Sequence, residues 1–227
     1  MTTLDPGQVP VAQSDPPPRK SRRPFANKTV DAVSRVLEGE RGLQRRYLHD
    51  ESRARAELAQ LRKAVPSTPG DAPAIWHLTS IEVPASAGDE PTGEEIAVHT
   101  ALTLYAVHQQ SRSEPMHVRD QGLGHAARAL VGTGAEENES LRARFNALVT
   151  SATISELRHH LKSFSSLLRA KGIALDYALL AGDLARFQTP GGASAMRLTW
   201  AREFAALPPS QPTPTSTPHT PADNLEN

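Results

Sequence analysis

The sequence predicts an all-α protein, a helical bundle of about eight or nine helices between proline-rich disordered tails. No segment alternates apolar and polar residues over the length of a strand. Apolar residues recur instead at three and four positions, between capping side chains and glycine or proline stops. Positions 92–110 then form a long apolar segment, TGEEIAVHTALTLYAVHQQ, whose Thr92 and Glu95 have the T-x-x-E spacing of a capping box. Its apolar residues cover most of the helix circumference, leaving a narrow strip of His99, Thr103 and Gln110, which predicts a buried central helix.

Residues 1–24 and 208–227 each hold six of the 19 prolines, in polar surroundings that cannot bury enough surface to order themselves. The N-terminal arm includes the basic run Arg19, Lys20, Arg22 and Arg23, read as a flexible arm or a solubilising linker. The helical domain is therefore 25–207, as one unit or as sub-bundles of about 25–135 and 136–207.

Within it, Val30, Val33, Val36, Leu37, Leu43 and Tyr47 keep helical spacing, with Gly39 and Gly42 as candidate breaks. Asp50 can cap a second helix through Ala54, Leu58 and Leu61, stopped by Pro66. Asp71 can cap a short one through Ile75, Trp76, Leu78 and Ile81. After the central helix, 111–122 is the longest internal loop, a place where partners bind. Four helices follow without an intervening proline: 123–131, about 137–150, one opened by Thr153 with Glu156 and ended at Gly172, and one capped by Asp176. A last helix carries Met196, Leu198, Trp200 and Phe204.

The absence of cysteine removes disulfides, thiol catalysis and cysteine-based zinc sites, and suits a reducing cytoplasm. No apolar run reaches the roughly 18 residues of a membrane span. The expected location is cytoplasmic, with no membrane partner. Formal charge is zero, with 25 basic and 25 acidic residues, but it is unevenly spread. Segment 71–140 holds 3 basic against 11 acidic residues, whereas 141–205 holds 9 against 4. Such asymmetry permits a basic face for polyanions, and intermixed surface charge is the alternative.

No nucleophile elbow, phosphate loop or dinucleotide fingerprint is present, so no catalytic residue is assigned. His99 and His108 lie about 180° apart on one helix and cannot share an ion. Glu95–His99 and Glu156–His160 are i, i+4 pairs, whereas di-metal bundles use i, i+3 pairs with further inward carboxylates. No metal or cofactor is expected. On the helix opened at Thr153, Arg158, Lys162 and Arg169 fall at about 200°, 240° and 220° from Glu156, a basic stripe beside the Leu157, Leu161, Phe164, Leu168 face. Its eleven-residue span of roughly 16 Å matches two or three backbone phosphates, with Ser165 beside it as an extra donor. Arg142 and Arg144 flank the preceding apolar face, and Lys28, Arg35 and Arg46 align if Gly39 does not break their helix. These are candidate phosphate contacts rather than base readers, and the core spacing of Phe145, Phe164, Tyr177, Phe187 and Trp200 argues against base stacking.

The run from Gly93 to Gln110, then Pro115-Met116-His117 and Gly122-Leu123-Gly124, resembles the CasB small-subunit family of the type I-E CRISPR Cascade complexes. So do Arg144-Phe145-Asn146-Ala147-Leu148, His159-His160-Leu161-Lys162, Leu167-Leu168-Arg169, Leu175-Asp176-Tyr177 and Asp183-Leu184-Ala185-Arg186-Phe187-Gln188. The resemblance spans about 43–204. It implies a non-catalytic helical subunit, present in two copies beside a large subunit (CasA) and backbone subunits. There it would hold the crRNA–target heteroduplex and the displaced DNA strand, stabilising the R-loop. The family's basic positions map onto Arg62, Arg128, Arg144, Arg158, Lys162 and Arg169. His125 departs from the pattern, standing where relatives often have arginine. The alternatives are a helical protein–protein adaptor without nucleic-acid contact and, more remotely, a metal-dependent helical enzyme.

Overall fold

A computed structural model describes residues 27–132 and 134–206. Both tails, the basic arm included, lie outside the described residues. Among the described residues ten α-helices follow in order: α1 Lys28–Leu37, α2 Leu43–Leu48, α3 Ser52–Lys63, α4 Trp76–Thr79, α5 Gly93–Gln109, α6 Leu123–Val131, α7 Glu139–Thr150, α8 Ile154–Lys171, α9 Tyr177–Phe187 and α10 Gly192–Ala205. Among the described residues the one extended pairing is a parallel bridge between His117 and Leu175.

The tenth helix comes from the first expected one, which is divided. Gly39 takes φ +79°, a left-handed conformation open to glycine, and the chain turns before α2. Asn27, not a residue of the apolar pattern, caps α1 by accepting from the Thr29 and Val30 amides. Asp50 is left-handed itself, at φ 62°, so Glu51 occupies the N-cap of α3. Asp71 does not cap either: its Oδ2 accepts from Thr68 N in the turn before α4. Trp76 and Leu198 leave the core, at 49% and 50% exposure.

The capping box of α5 forms as expected, with Glu95 N on Thr92 Oγ1 at 3.3 Å and Thr92 N on Glu95 Oε2 at 2.8 Å. Half of the second one forms. Glu156 N reaches Thr153 Oγ1, whereas the Glu156 carboxylate accepts from Ala152 N rather than from the cap itself. Asp176 caps α9 through Ala178 N and Leu179 N.

α5 is the central helix, packed against α9, α8, α3, α1 and α4. Ala97, Val98, Ala101, Leu102 and Tyr105 are fully enclosed, and His99, Thr100, Thr103, His108 and Gln109 are buried with them. One hydrophobic cluster runs from Val30 to Trp200, because α9 contacts α1 as well as α5, and α10 packs on α6.

The α6–α10 contact explains the Gly-Leu-Gly motif. Gly124 N donates to Glu203 Oε2 at 2.9 Å, and a Cβ on Gly124 would lie 2.2 Å from the Trp200 carbonyl oxygen and 2.6 Å from Glu203 Cβ. Backbone cannot yield as a flexible side chain does. Gly124→Ala is expected to cost about 3 kcal/mol, lowering the melting temperature by roughly 6–12 °C. An unchanged melt would show that the two helices can separate freely.

The 111–122 segment is pinned rather than loose. Gln109 Oε1 accepts from Met116 N at 2.9 Å, and the Gln44 side chain brackets His117 through both its amide and its carbonyl. His117 Nδ1 accepts from Tyr177 N at 3.1 Å, so its Nε2–H donates to Glu38 Oε1 at 2.9 Å. Asp176 Oδ2 takes the Asp120 amide at 2.8 Å.

Candidate nucleic-acid interface

The expected buried face of α8 is confirmed: Leu157, Leu161, Phe164 and Leu168 are all enclosed, against α5 on one side and α7 on the other. The basic stripe lies beside it. Lys162 is exposed, while Arg158 and Arg169 are half-buried. Arg158 Nη2 donates to Ser67 O at 3.2 Å, which ties the turn after α3 to α8. Arg169 Nη1 donates to Gln110 Oε1 at 3.2 Å, across the end of α5. Both bonds orient a guanidinium without neutralising it, because each partner is uncharged.

Arg62, in the last turn of α3, joins this group. Burial holds its guanidinium below the ordinary arginine value, the Tyr47 phenol opposes that, and the charge of neighbouring Arg169 adds to the depression. Burial likewise lowers Arg158. Four cations from two helices thus share one region, and the stripe is wider than α8 alone. Ser165 is not beside it. It is buried and bonds the Tyr177 hydroxyl, because its angle turns it inward towards α9.

The remaining basic residues separate into two open and several engaged positions. Arg144 is exposed on α7, with no side-chain partner among the described residues, and faces the α7–α8 groove with His159 and His160. Arg142 donates from Nε and Nη2 to both carboxylate oxygens of Glu137 at 2.8 and 2.9 Å, with its guanidinium 4.4 Å above the Phe204 ring. Arg128 Nη1 donates to Phe204 O at 2.8 Å, tying α6 to the last turn of α10. Lys28 pairs with Glu94 at 3.2 Å, and Arg46 pairs with Glu57 at 2.5 Å. Arg35 is exposed on α1. The break at Gly39 places Arg46 on a different helix, so the expected alignment of Lys28, Arg35 and Arg46 does not occur.

His99 is 1% exposed, and neither ring nitrogen has a hydrogen-bond partner among the described residues. Burial lowers its pKa to about 4, with the Arg158 charge adding and Asp71 opposing. His108, on the opposite side of α5, bonds the Tyr177 hydroxyl at 2.8 Å and is also lowered to about 4, chiefly by burial.

The fold and this basic region can be set beside known proteins. The model of the CRISPR-associated protein Cse2 family matches residues 57–204, from within α3 through α4 to α9 and all of α10 but its last residue. The chain belongs to the Cse2 family. A crystal structure of CasB from Thermobifida fusca is 36% identical, over 78% of this chain and 96% of that one, with a TM-score of 0.61. CasB from Thermus thermophilus is 22% identical over 78% and 94%, at a TM-score of 0.53. A chain of a CRISPR RNA-guided surveillance complex is 20% identical over 78% and 93%, at 0.57, and shares the fold. No match is found among curated protein sequences.

The family match covers Arg62, Arg128, Arg142, Arg144, Arg158, Lys162 and Arg169, and leaves Lys28, Arg35 and Arg46 outside it. What sequence reasoning missed is the part of Thr100 and His159 in the same region. Thr100 lay hidden in the central helix, and His159 lies three residues before Lys162, at about 300° against its 240°, at the edge of the stripe. The i, i+3 spacing of His159 and Lys162 could have found His159.

Proposed function

We propose that this Cse2-family chain is the non-catalytic small subunit of a type I-E CRISPR RNA-guided surveillance complex. In it, Arg62, Arg144, Arg158, Lys162 and Arg169 bind nucleic-acid backbone, supporting the crRNA–target heteroduplex and the displaced strand. The observation that carries the reading is the grouping of Arg158, Lys162 and Arg169 on α8 with Arg62 near the end of α3, where Arg158 holds the turn that follows α3 and Arg62 feels the charge of Arg169, without a carboxylate bonded to any of the four among the described residues. Like charges gathered without counter-charge cost stability unless a polyanion neutralises them.

Membership of the Cse2 family, and the shared fold of a surveillance-complex chain, support the place in that assembly. The partners are then crRNA, both DNA strands, the large CasA subunit, the backbone subunits and a second copy of the chain, in the cytoplasm. R-loop formation exchanges pairings of nearly equal stability, so modest backbone contacts suffice to bias it. Arg142, Lys28 and Arg46 are already paired with carboxylates and contribute to the fold instead, whereas Arg128, bound to the neutral Phe204 carbonyl, lies on α6 and is not part of the group on α3 and α8.

Filter binding of single- and double-stranded DNA over a salt series tests the reading. Binding in low salt should fall with a steep linear log–log slope, nearly independent of sequence. Absence of binding at the lowest salt would instead favour an adaptor without nucleic-acid contact.

A further inference from the structure

A cavity of about 220 Å³ opens between the turn after α3, the middle of α5 and the first turns of α8. Its polar wall consists of Thr100, Ser155, Arg158, His159 and Lys162, beside Thr103, and no carboxylate lines it among the described residues. Thr100 is 3% exposed, and its hydroxyl has no hydrogen-bond partner among the described residues. A threonine within a helix ordinarily satisfies that hydroxyl on the carbonyl one turn back, as Thr103 does on His99 O at 2.8 Å. Thr100 does not, and a buried hydroxyl left without a partner costs about 1–3 kcal/mol.

The chemistry of this wall selects its ligand. Arg158 spends one of its five N–H groups on Ser67 O, which fixes the plane of the fork and leaves the others to bond elsewhere. Lys162 brings three donors, and the hydroxyls of Thr100 and Ser155 can donate. Donors that converge on a space without a carboxylate suit a compact oxyanion. The cavity is several times the roughly 30 Å³ share of one water, so it has room for more than a single solvent molecule.

A second groove, of about 440 Å³, lies on the other side of α8 and again has no carboxylate among its described lining residues. Arg144, His160 and Ser163 line it, and His159 belongs to both. The two open side by side across α8, not one after the other along it.

We propose that the cavity at Thr100 is a discrete phosphate pocket, and that a bound strand crosses α8 over His159 to reach Arg144. The proposal rests on the backbone-binding reading above and adds a seat and a direction to it. The strand does not follow the Arg158–Lys162–Arg169 stripe lengthwise. Arg169 serves a more distant phosphate together with Arg62.

Two probes test this on the full chain: orthophosphate, followed through the NMR signals of Thr100, Arg158 and His159, and the trinucleotide d(TTT), followed in the same way. Thr100→Val keeps the side-chain shape and removes only the hydroxyl, so the protein should melt no lower than wild type. It should bind both probes about tenfold more weakly. Its salt slope for longer DNA should stay unchanged, because no charge is lost. Arg144→Gln should weaken d(TTT) and spare orthophosphate, whereas Arg169→Gln should spare both. Wild-type affinity of Thr100→Val for both probes would overturn the pocket and leave it a water site. Sensitivity of d(TTT) to Arg169 but not Arg144 would overturn the crossing. Orthophosphate binding without any oligonucleotide binding in low salt would refute the crossing and the backbone-binding reading together, while upholding the pocket.

Discussion

Replacing Arg144, Lys162 and Arg169 together by glutamate is expected to lower affinity for single-stranded DNA about 1,000-fold in low salt. Each position loses one phosphate contact, and a charge-assisted contact at a partly exposed site is worth about tenfold. The effect should be the same for unrelated sequences, because none of the three is placed to read a base edge. These positions isolate binding from folding. Arg144 and Lys162 have no side-chain partner among the described residues, and Arg169 holds only the neutral Gln110 amide. Arg158 is less suitable for reversal, since a glutamate there would face the Ser67 carbonyl from a half-buried position. Equal Tm values for the variant and wild type would confirm that the loss lies in binding.

The second large effect is on stability. Above about pH 6.5, His99 and His108 are neutral in both the folded and the unfolded chain. As the pH falls, the unfolded chain takes up protons near 6.5, whereas the folded rings resist until about 4. The unfolded state therefore binds more protons across that interval, and stability is lost as pH falls from about 6.5 towards 4. At pH 5 the loss is roughly 2 kcal/mol for each ring, or about 4 kcal/mol together. Urea unfolding at pH 7 and pH 5 measures it. His99→Leu should remove about half of the difference. It should also be no less stable than wild type at pH 7, because the buried ring forms no hydrogen bond among the described residues. Equal stability at the two pH values would mean that both rings are hydrated in the native state.

Local chemistry made much of the fold legible. The reciprocal bonds of Thr92 and Glu95 involve residues three apart, as does the bond from Leu179 N to Asp176, so the letters alone carry them. The apolar circumference of α5 and the buried face of α8 follow from helical periodicity in the same way. Other features depend on approaches between distant segments. The 111–122 segment reads as a loop, yet His117 meets Gln44, Glu38 and Tyr177 from 60 to 79 residues away. Trp76 has the spacing of a core residue, but its indole N–H binds Gly70 O and leaves the ring half outside.

The basic region shows the same division. Helical angles placed Arg158, Lys162 and Arg169 on one stripe, because only one helix is involved. They could not add Arg62, which joins from α3, or remove Ser165, whose partner Tyr177 belongs to α9. The Arg142–Glu137 pair was within reach of the sequence, at five residues, whereas the hold of Arg128 on Phe204 O required the packing of α6 on α10. Thr100 was the least legible. A threonine on an apolar helix reads as filler until its hydroxyl is seen without a partner beside Arg158.

The most direct measurement is the difference in salt slope between the wild type and the Arg144→Glu/Lys162→Glu/Arg169→Glu variant on the same single-stranded DNA. Three lost phosphate contacts should make the log–log slope shallower by about 2, on top of the weaker binding. Parallel lines, with affinity unchanged or merely offset, would contradict phosphate neutralisation by this face.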